Sequence, residues 1–170
     1  MAESNGILNG ATATTSTDPY GYPGSNTIDG DAATHWHSGP EGPPFWIAFD
    51  LGVGVSKAAE SYEYTCRANG EHYWRTWELQ GSNDNFSTWD VLDFQENLTF
   101  TAGEKKTFTC VGAGMKYRYY RFNIILTSSS YCVAAELAIF EPPPVIAKNF
   151  LHSCLDRMNM KGVSTQNWLE

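Results

Sequence analysis

The sequence is short of positive charge: 11 lysines and arginines stand against 19 aspartates and glutamates in 170 residues, a formal net charge of −8. That balance disfavours nucleic acid and acidic lipid headgroups as partners, because both demand a positive footprint. No apolar run approaches the ~20 residues of a membrane span. The opening MAESNGILNG has no basic region followed by an apolar core, so no secretory signal is visible in it. Cysteines are few. Cys66, Cys110, Cys132 and Cys154 form no CxxC, which argues against a zinc cluster and leaves three pairings open should disulfides form. There is no GxSxG elbow, HExxH, P-loop or dinucleotide fingerprint, and there are no internal repeats. Catalysis finds no support; the chain reads as a non-enzyme, with neutral ligands and cations as the open partner classes.

What is present is aromatic. Phe, Trp and Tyr make up 14% of the chain and charged residues only 18%. Aromatic-rich, turn-rich chains fit an all-β sandwich whose loops also use rings for contact. The length suits one domain plus a tail and buries a sizeable core without staples. Residues 45–51 alternate Phe45, Ile47, Phe49 and Leu51 with Trp46, Ala48 and Asp50 before Gly52 breaks the run. Further strands are expected at residues 11–17 and 58–67, from Trp77 to Gly81 and from Trp89. Phe100 to Cys110 reads as a hairpin; Tyr117 to Leu126, with Tyr120, Phe122, Ile124 and Leu126 on one face, and Cys132 to Phe140 complete about eight strands. Met1 to Gly10 is polar and reads as loosely held. Glu141-Pro142-Pro143-Pro144 closes the domain at residue 141, since proline cannot continue a ladder. Over residues 142–170 a Pro-rich linker leads to Ile146, Phe150, Leu151, Cys154, Leu155 and Met158 at helical spacing. This short amphipathic helix is a candidate contact for a second copy or for a parent protein.

Two stretches carry candidate chemistry. In the loop 27–38, Asp29 and Asp31 flank Gly30, and Thr34 adds a hydroxyl. A glycine between carboxylates lets oxygens turn toward one centre, as a hard cation such as calcium requires. Trp36 follows as an anchor, with His35 and His37 on either side pointing away from it in an extended segment. A zinc site would need more ligands, and only His72 and His152 remain. A neutral imidazole, donating at one nitrogen and accepting at the other, suits a sugar hydroxyl. Arg67, Asn69, His72, Tyr73 and Trp74 share a second loop, combining a planar donor fork and an amide with rings for the C–H face of a sugar. Tyr20 and Tyr22 are displayed in the turn-dense DPYGYPGS.

The ordered pieces IDGDAATHWHS, PFWIAFDLG, WELQGSND with WDVLD, YRYYRFNI and VAAELAIF run from about Ala11 to Phe140. This pattern resembles the F5/8 type C (discoidin-like) family, which includes the family 32 carbohydrate-binding modules. The resemblance implies an eight-stranded antiparallel jelly-roll sandwich. It also implies a structural calcium ion where the DG loop meets a late Ala-Glu pair, here Asp29, Asp31 and Thr34 with Ala135 and Glu136. An ionised Glu136 among Val133, Ala134, Ala135 and Leu137 wants such a partner. For the ligand it implies arginine and asparagine from the second loop, a histidine from the first, and Tyr131 as a stacking ring. The expected function is non-catalytic recognition of galactose-like glycans. The module would sit outside the cell or on a cell or virion surface, as an appendage of an enzyme, adhesin or fibre. A protein-interaction module, adhesive and without sugar binding, is the alternative. A lipid binder inserting Tyr20, Tyr22 and Trp74 is disfavoured by the acidic charge.

Overall fold

The computed structural model describes residues 5–111 and 114–143; the helix expected in the tail lies outside them. The strands are β1 (Thr12–Thr15), β2 (Trp36–His37), β3 (Phe45–Asp50), β4 (Lys57–Ala58), β5 (Ser61–Thr65) and β6 (Trp74–Ser82), followed by β7 (Asp90–Gln95), β8 (Lys105–Thr109), β9 (Lys116–Tyr117), β10 (Tyr119–Thr127), β11 (Val133–Ala134) and β12 (Glu136–Phe140). Eight of these have four residues or more, as the sequence pattern suggests. A five-stranded sheet in the order β1-β3-β10-β6-β7 faces a three-stranded sheet, β12-β5-β8, and two short pairs, β2 with β11 and β4 with β9, close the ends. All of these pairings are antiparallel. The fold is the expected jelly-roll sandwich.

The alternations account for the core. Phe45, Ile47 and Phe49 of β3, Tyr62 and Tyr64 of β5, and Tyr120, Phe122 and Ile124 of β10 all point inward and are buried. Burying a tyrosine removes its hydroxyl from water, so each needs a partner. Tyr62 donates to Asp93 Oδ2 at 2.7 Å and accepts from Trp77 Nε1 at 2.9 Å. Tyr64 donates to the Val133 carbonyl at 3.1 Å, tying the core to β11. Cys66, Cys110 and Cys132 are buried free thiols, so none of the three is bridged to another. Burial first, and then neighbouring carboxylates, push the Cys66 thiol up to about 11 and the Cys110 thiol up to about 12. They pack as small apolar groups rather than as nucleophiles.

Three local expectations change. The alternation of β10 does not reach Leu126, which is exposed, because the register slips between Ile124 and Leu126 and a bulge turns Thr127 inward instead. Phe100 to Cys110 is no hairpin. Only Lys105–Thr109 forms a strand, and it pairs with β5. Phe100 is buried in the core, and the Glu104 carboxylate closes a turn by accepting from Thr101 N at 2.7 Å. The N-terminal segment is not loose from residue 5 onward. Ile7 N donates to Ile139 O at 2.8 Å, and Asn5 and Leu8 are buried.

Trp36 is fully buried, and its indole N–H donates to the Thr17 carbonyl at 3.0 Å. Trp36→Ala should therefore lower unfolding stability by about 3–5 kcal/mol. Urea unfolding should show this as a lower midpoint with little change in slope.

Candidate functional site

Backbone pairing brings the site residues to one end of the sandwich. The β2–β11 ladder sets His37 opposite Val133 and Trp36 opposite Ala134. Around it, Ser38 N donates to Cys132 O (2.9 Å) and Cys132 N to Ser38 Oγ (2.8 Å). Val133 N donates to His72 O at 3.0 Å, which pulls in the 67–73 loop, and His37 N donates to Tyr22 O at 3.2 Å, which pulls in the 18–25 loop. The Arg67 carbonyl accepts from both Gly70 N (2.8 Å) and Gly103 N (3.0 Å), bracing its loop against the turn before β8. Gly70 makes this turn at φ +69°, with Ala102 N only 3.0 Å from where a Cβ would stand.

The result is an open pocket of about 610 Å³. Arg67, His35, His37, His72 and Tyr131 line it together with Tyr20 and Tyr22. His37 lies at its centre, with ring centroids 5.6 Å from His72, 5.3 Å from Tyr131 and 5.4 Å from Tyr20. Tyr22 stacks on His35 at 4.6 Å. His37 Nδ1 lies 2.7 Å from the Ser38 carbonyl, which can only accept, so Nδ1 carries the proton and Nε2 of the neutral ring is an acceptor. His72 holds a left-handed backbone at φ 61° and sets its Nδ1 2.7 Å from Ser129 Oγ. The Arg67 guanidinium makes no hydrogen bond or ion pair among the described residues. The pocket thus offers a donor fork, imidazole acceptors and phenol rings in one lining.

Three other candidates are not brought into it. Trp74, expected to be a ring for a ligand to stack on, is fully buried in the core and stacks on Tyr64 at 4.4 Å. It starts β6, and the inward face of that strand claims it. Tyr73 packs against the core, 6.0 Å from Phe100, and does not line the pocket. Asn69 sits in an exposed turn, where its amide donates to Glu71 Oε2 at 2.7 Å and its oxygen accepts Glu71 N at 3.1 Å. Tyr20 and Tyr22 join the site although no sequence motif assigns them to it. Their signal was two displayed rings in a loop dense in Gly and Pro, and only the pairing with β2 reveals where that loop goes.

The oxygen-rich loop folds as the glycine between its aspartates suggests, with Gly30 at φ +77°. Asp29 Oδ1 accepts Asp31 N (2.9 Å), and Asp29 Oδ2 accepts Thr34 Oγ1 (2.8 Å). The Asp31 carboxylate accepts Ala33 N at 2.9 Å, and the Asp31 carbonyl accepts Thr34 N at 3.0 Å. Ala135 is buried between β11 and β12, its N–H donating to Thr65 O at 3.0 Å. Glu136 is buried, and its Oε2 accepts Asn5 Nδ2 at 2.7 Å while its Oε1 has no partner. Burial first, and then the neighbouring Asp29 carboxylate, raise the Glu136 carboxyl to about 7 despite the Asn5 bond. Two facing carboxylates with an orphaned buried oxygen are a donor set that fits a hard cation. Among the described residues no three His, Cys, Asp or Glu side chains are grouped so that they could hold a metal ion, so carbonyl oxygens would complete such a shell.

Burial, then the Arg67 and His37 charges, hold His35 down at about 4, below its ordinary 6.5. The folded state therefore binds fewer protons at His35 than the unfolded chain between these values. Its contribution to stability is complete above pH 6.5 and fades as pH falls toward about 4. Glu136, raised to about 7, acts in the opposite sense over the same range, so the His35 effect reads out as a difference: the gap in urea midpoint between wild type and His35→Gln should narrow from pH 7.0 through 6.0 to 5.0.

Comparison with known proteins identifies the family and the fold. The family model of the F5/8 type C domain matches residues 10–137. Among solved structures, the family 32 carbohydrate-binding module of C. perfringens NanJ, described in complex with galactose, is 20% identical. It superposes with a TM-score of 0.65 over 78% of this chain and 95% of its own. A Clostridium perfringens module, CpGH89CBM32-5, described in complex with GalNAc-β-1,3-galactose, is 23% identical with a TM-score of 0.66, covering 79% and 97%. Chitosan-binding module 1 of a chitosanase/glucanase from Paenibacillus sp. IK-5 is 22% identical with a TM-score of 0.66, covering 79% and 98%. No curated protein sequence matches the chain significantly.

Proposed function

The chain belongs to the F5/8 type C domain family, and from that premise we propose that it is a non-catalytic carbohydrate-binding module for exposed galactose-type residues. The observation that carries this reading is the unpaired Arg67 guanidinium facing an open pocket of imidazoles and phenols. A guanidinium fork donates to two neighbouring sugar hydroxyls, the His37 Nε2 acceptor takes a third, and Tyr20 or Tyr131 offers a face to the ring's C–H bonds. Structures of the same fold described with galactose and GalNAc-β-1,3-galactose support the galactose class. The module would attach the protein that carries it to a glycan-bearing surface or polysaccharide.

A pocket this open offers few contacts, so affinity for a monosaccharide should be weak, roughly 0.1–1 mM. Several copies on one particle would supply useful avidity. Arg67→Ala should cost about 1.5–3 kcal/mol of binding, enough to remove detectable affinity, while the melting temperature stays unchanged. Calorimetric titration of galactose, N-acetylgalactosamine, lactose and a glucosamine trimer into both proteins reads this out. If none of these sugars binds the wild type, a protein partner becomes the better reading.

At the oxygen-rich loop the same proposal includes a structural calcium ion. Asp29 and Glu136 would hold it with carbonyl oxygens of the loop, and bound there it supplies only charge compensation and rigidity. Calcium at a hundredfold above its dissociation constant should stabilise the fold by about 2.7 kcal/mol. Excess chelator should remove that gain, and Asp29→Ala should make the melting curve indifferent to calcium. A wild-type curve that calcium and chelator both leave unmoved would contradict the ion.

A further inference from the structure

The solvent face of the five-stranded sheet carries a second groove, about 500 Å³, which shares no lining residue with the loop pocket. Its floor is Ala48. On the outward face of β3 this is the smallest side chain, between Trp46 and Asp50, and the register sets it beside Thr14 of β1 and Arg121 of β10. The small residue leaves a depression that Trp46 and Tyr119 wall from either side. Phe86 closes one end from a loop held in the left-handed region, with Asn85 at φ 55° and Phe86 at φ 62°. That loop is clamped. Asp84 Oδ1 accepts Thr88 N at 2.9 Å, Asp84 Oδ2 accepts Thr88 Oγ1 at 2.7 Å, and Ser82 Oγ accepts Phe86 N at 2.9 Å.

Within the groove lies an unmatched cation. The Arg121 guanidinium carbon lies 4.4 Å from the Phe86 ring centroid and 5.3 Å from that of Trp89, and its Nε donates to Gln80 Oε1 at 2.8 Å. The rings and the amide fix the plane of the fork. Its terminal nitrogens make no hydrogen bond or ion pair among the described residues. The carboxylate that Arg121 senses, Glu78, is instead held by Gln80 Nε2 at 2.6 Å and more loosely by Asn123 Nδ2 at 3.4 Å. Arg118 shows the contrast: its Nε and Nη2 grip the two Asp50 oxygens at 2.7 and 2.6 Å, which neutralises both. Arg121 therefore carries a positive charge with no direct ion pair among the described residues, in a protein of net charge −8. A part-buried, pre-oriented and unpaired fork is poor for folding alone and well matched to a bidentate carboxylate. The exposed hydroxyls of Thr12 and Thr14, the Asn85 amide and the Trp46 and Tyr119 rings are groups that hold sugar units.

We propose that this groove binds an acidic glycan, a uronate-containing chain whose carboxylate is gripped by Arg121 while neighbouring sugar units lie over Trp46 and Tyr119. The proposal does not rest on the loop pocket. Its test is a titration of trigalacturonate, and separately of its methyl ester, into the isotope-labelled full chain, followed by two-dimensional NMR. The acid should move the Trp46 indole N–H and the Gln80 side-chain amide, while the ester should leave them in place. Raising sodium chloride from about 50 to 500 mM should weaken the acid's binding several-fold, because charge pairing at an open groove is screened. Arg121→Gln should weaken it at least tenfold. Thr14→Glu, an exposed position where folding is not at stake, should do the same by placing a like charge on the groove. Arg67→Ala should leave groove binding intact, which separates this site from the loop pocket. Equal response to acid and ester, movement confined to resonances around His37 and Tyr131, or no movement at about 20 mM sugar would each overturn the proposal.

Discussion

The two-residue ladder between Trp36–His37 and Val133–Ala134 is the constraint on which the functional end of the molecule depends. The ladder is short, yet it is locked from below and from both sides. Trp36 is buried beneath it, Tyr64 donates into the Val133 carbonyl, and the Ser38–Cys132 bonds extend the pairing by one step. One side of the ladder leads back to the oxygen-rich loop, and the other leads directly into Ala135 and Glu136. Remove the pairing and three consequences follow together. His35 and His37 lose their registration against Tyr131, the 67–73 loop loses the Val133–His72 tether, and Glu136 is no longer held opposite Asp29. Pocket and acidic site are thus two faces of one junction.

The architecture was legible in the chain because burial at period two leaves a strong trace. Residues 45–50 and 119–124 alternate cleanly, and the structure follows them. Legibility ended where a strand departs from that period or where a long-range partner decides. The bulge near Leu126 reverses the inward face without any proline or glycine to announce it. Asn5 looked like a polar terminal residue, but Glu136, 131 positions away, makes it a buried partner.

The site divides along the same line. Arg67, His72 and Tyr131 were readable as chemistry, and the ladder converges them with His35 and His37. Trp74 was not separable from its neighbours by residue type, since an aromatic at the first position of a strand serves a core as readily as a ligand. Tyr20 and Tyr22 were visible as displayed rings but carried no address. Their placement comes from a backbone bond between Tyr22 and His37, which no local pattern encodes. Electrostatics adds a second lesson. A net charge of −8 describes the surface average, whereas the two proposed sites are built on guanidinium groups, Arg67 and Arg121, that make no ion pair among the described residues.

The proposed function puts a sugar ring in the loop pocket between Arg67 and the phenol faces. Intermolecular proton–proton contacts measured by NMR with methyl β-galactoside test it most directly. Transfer is expected from the Tyr20 and Tyr131 ring protons to the C–H protons on one face of the sugar, lost in Arg67→Ala. Contacts confined to residues outside the pocket, or none from any aromatic proton, would contradict it.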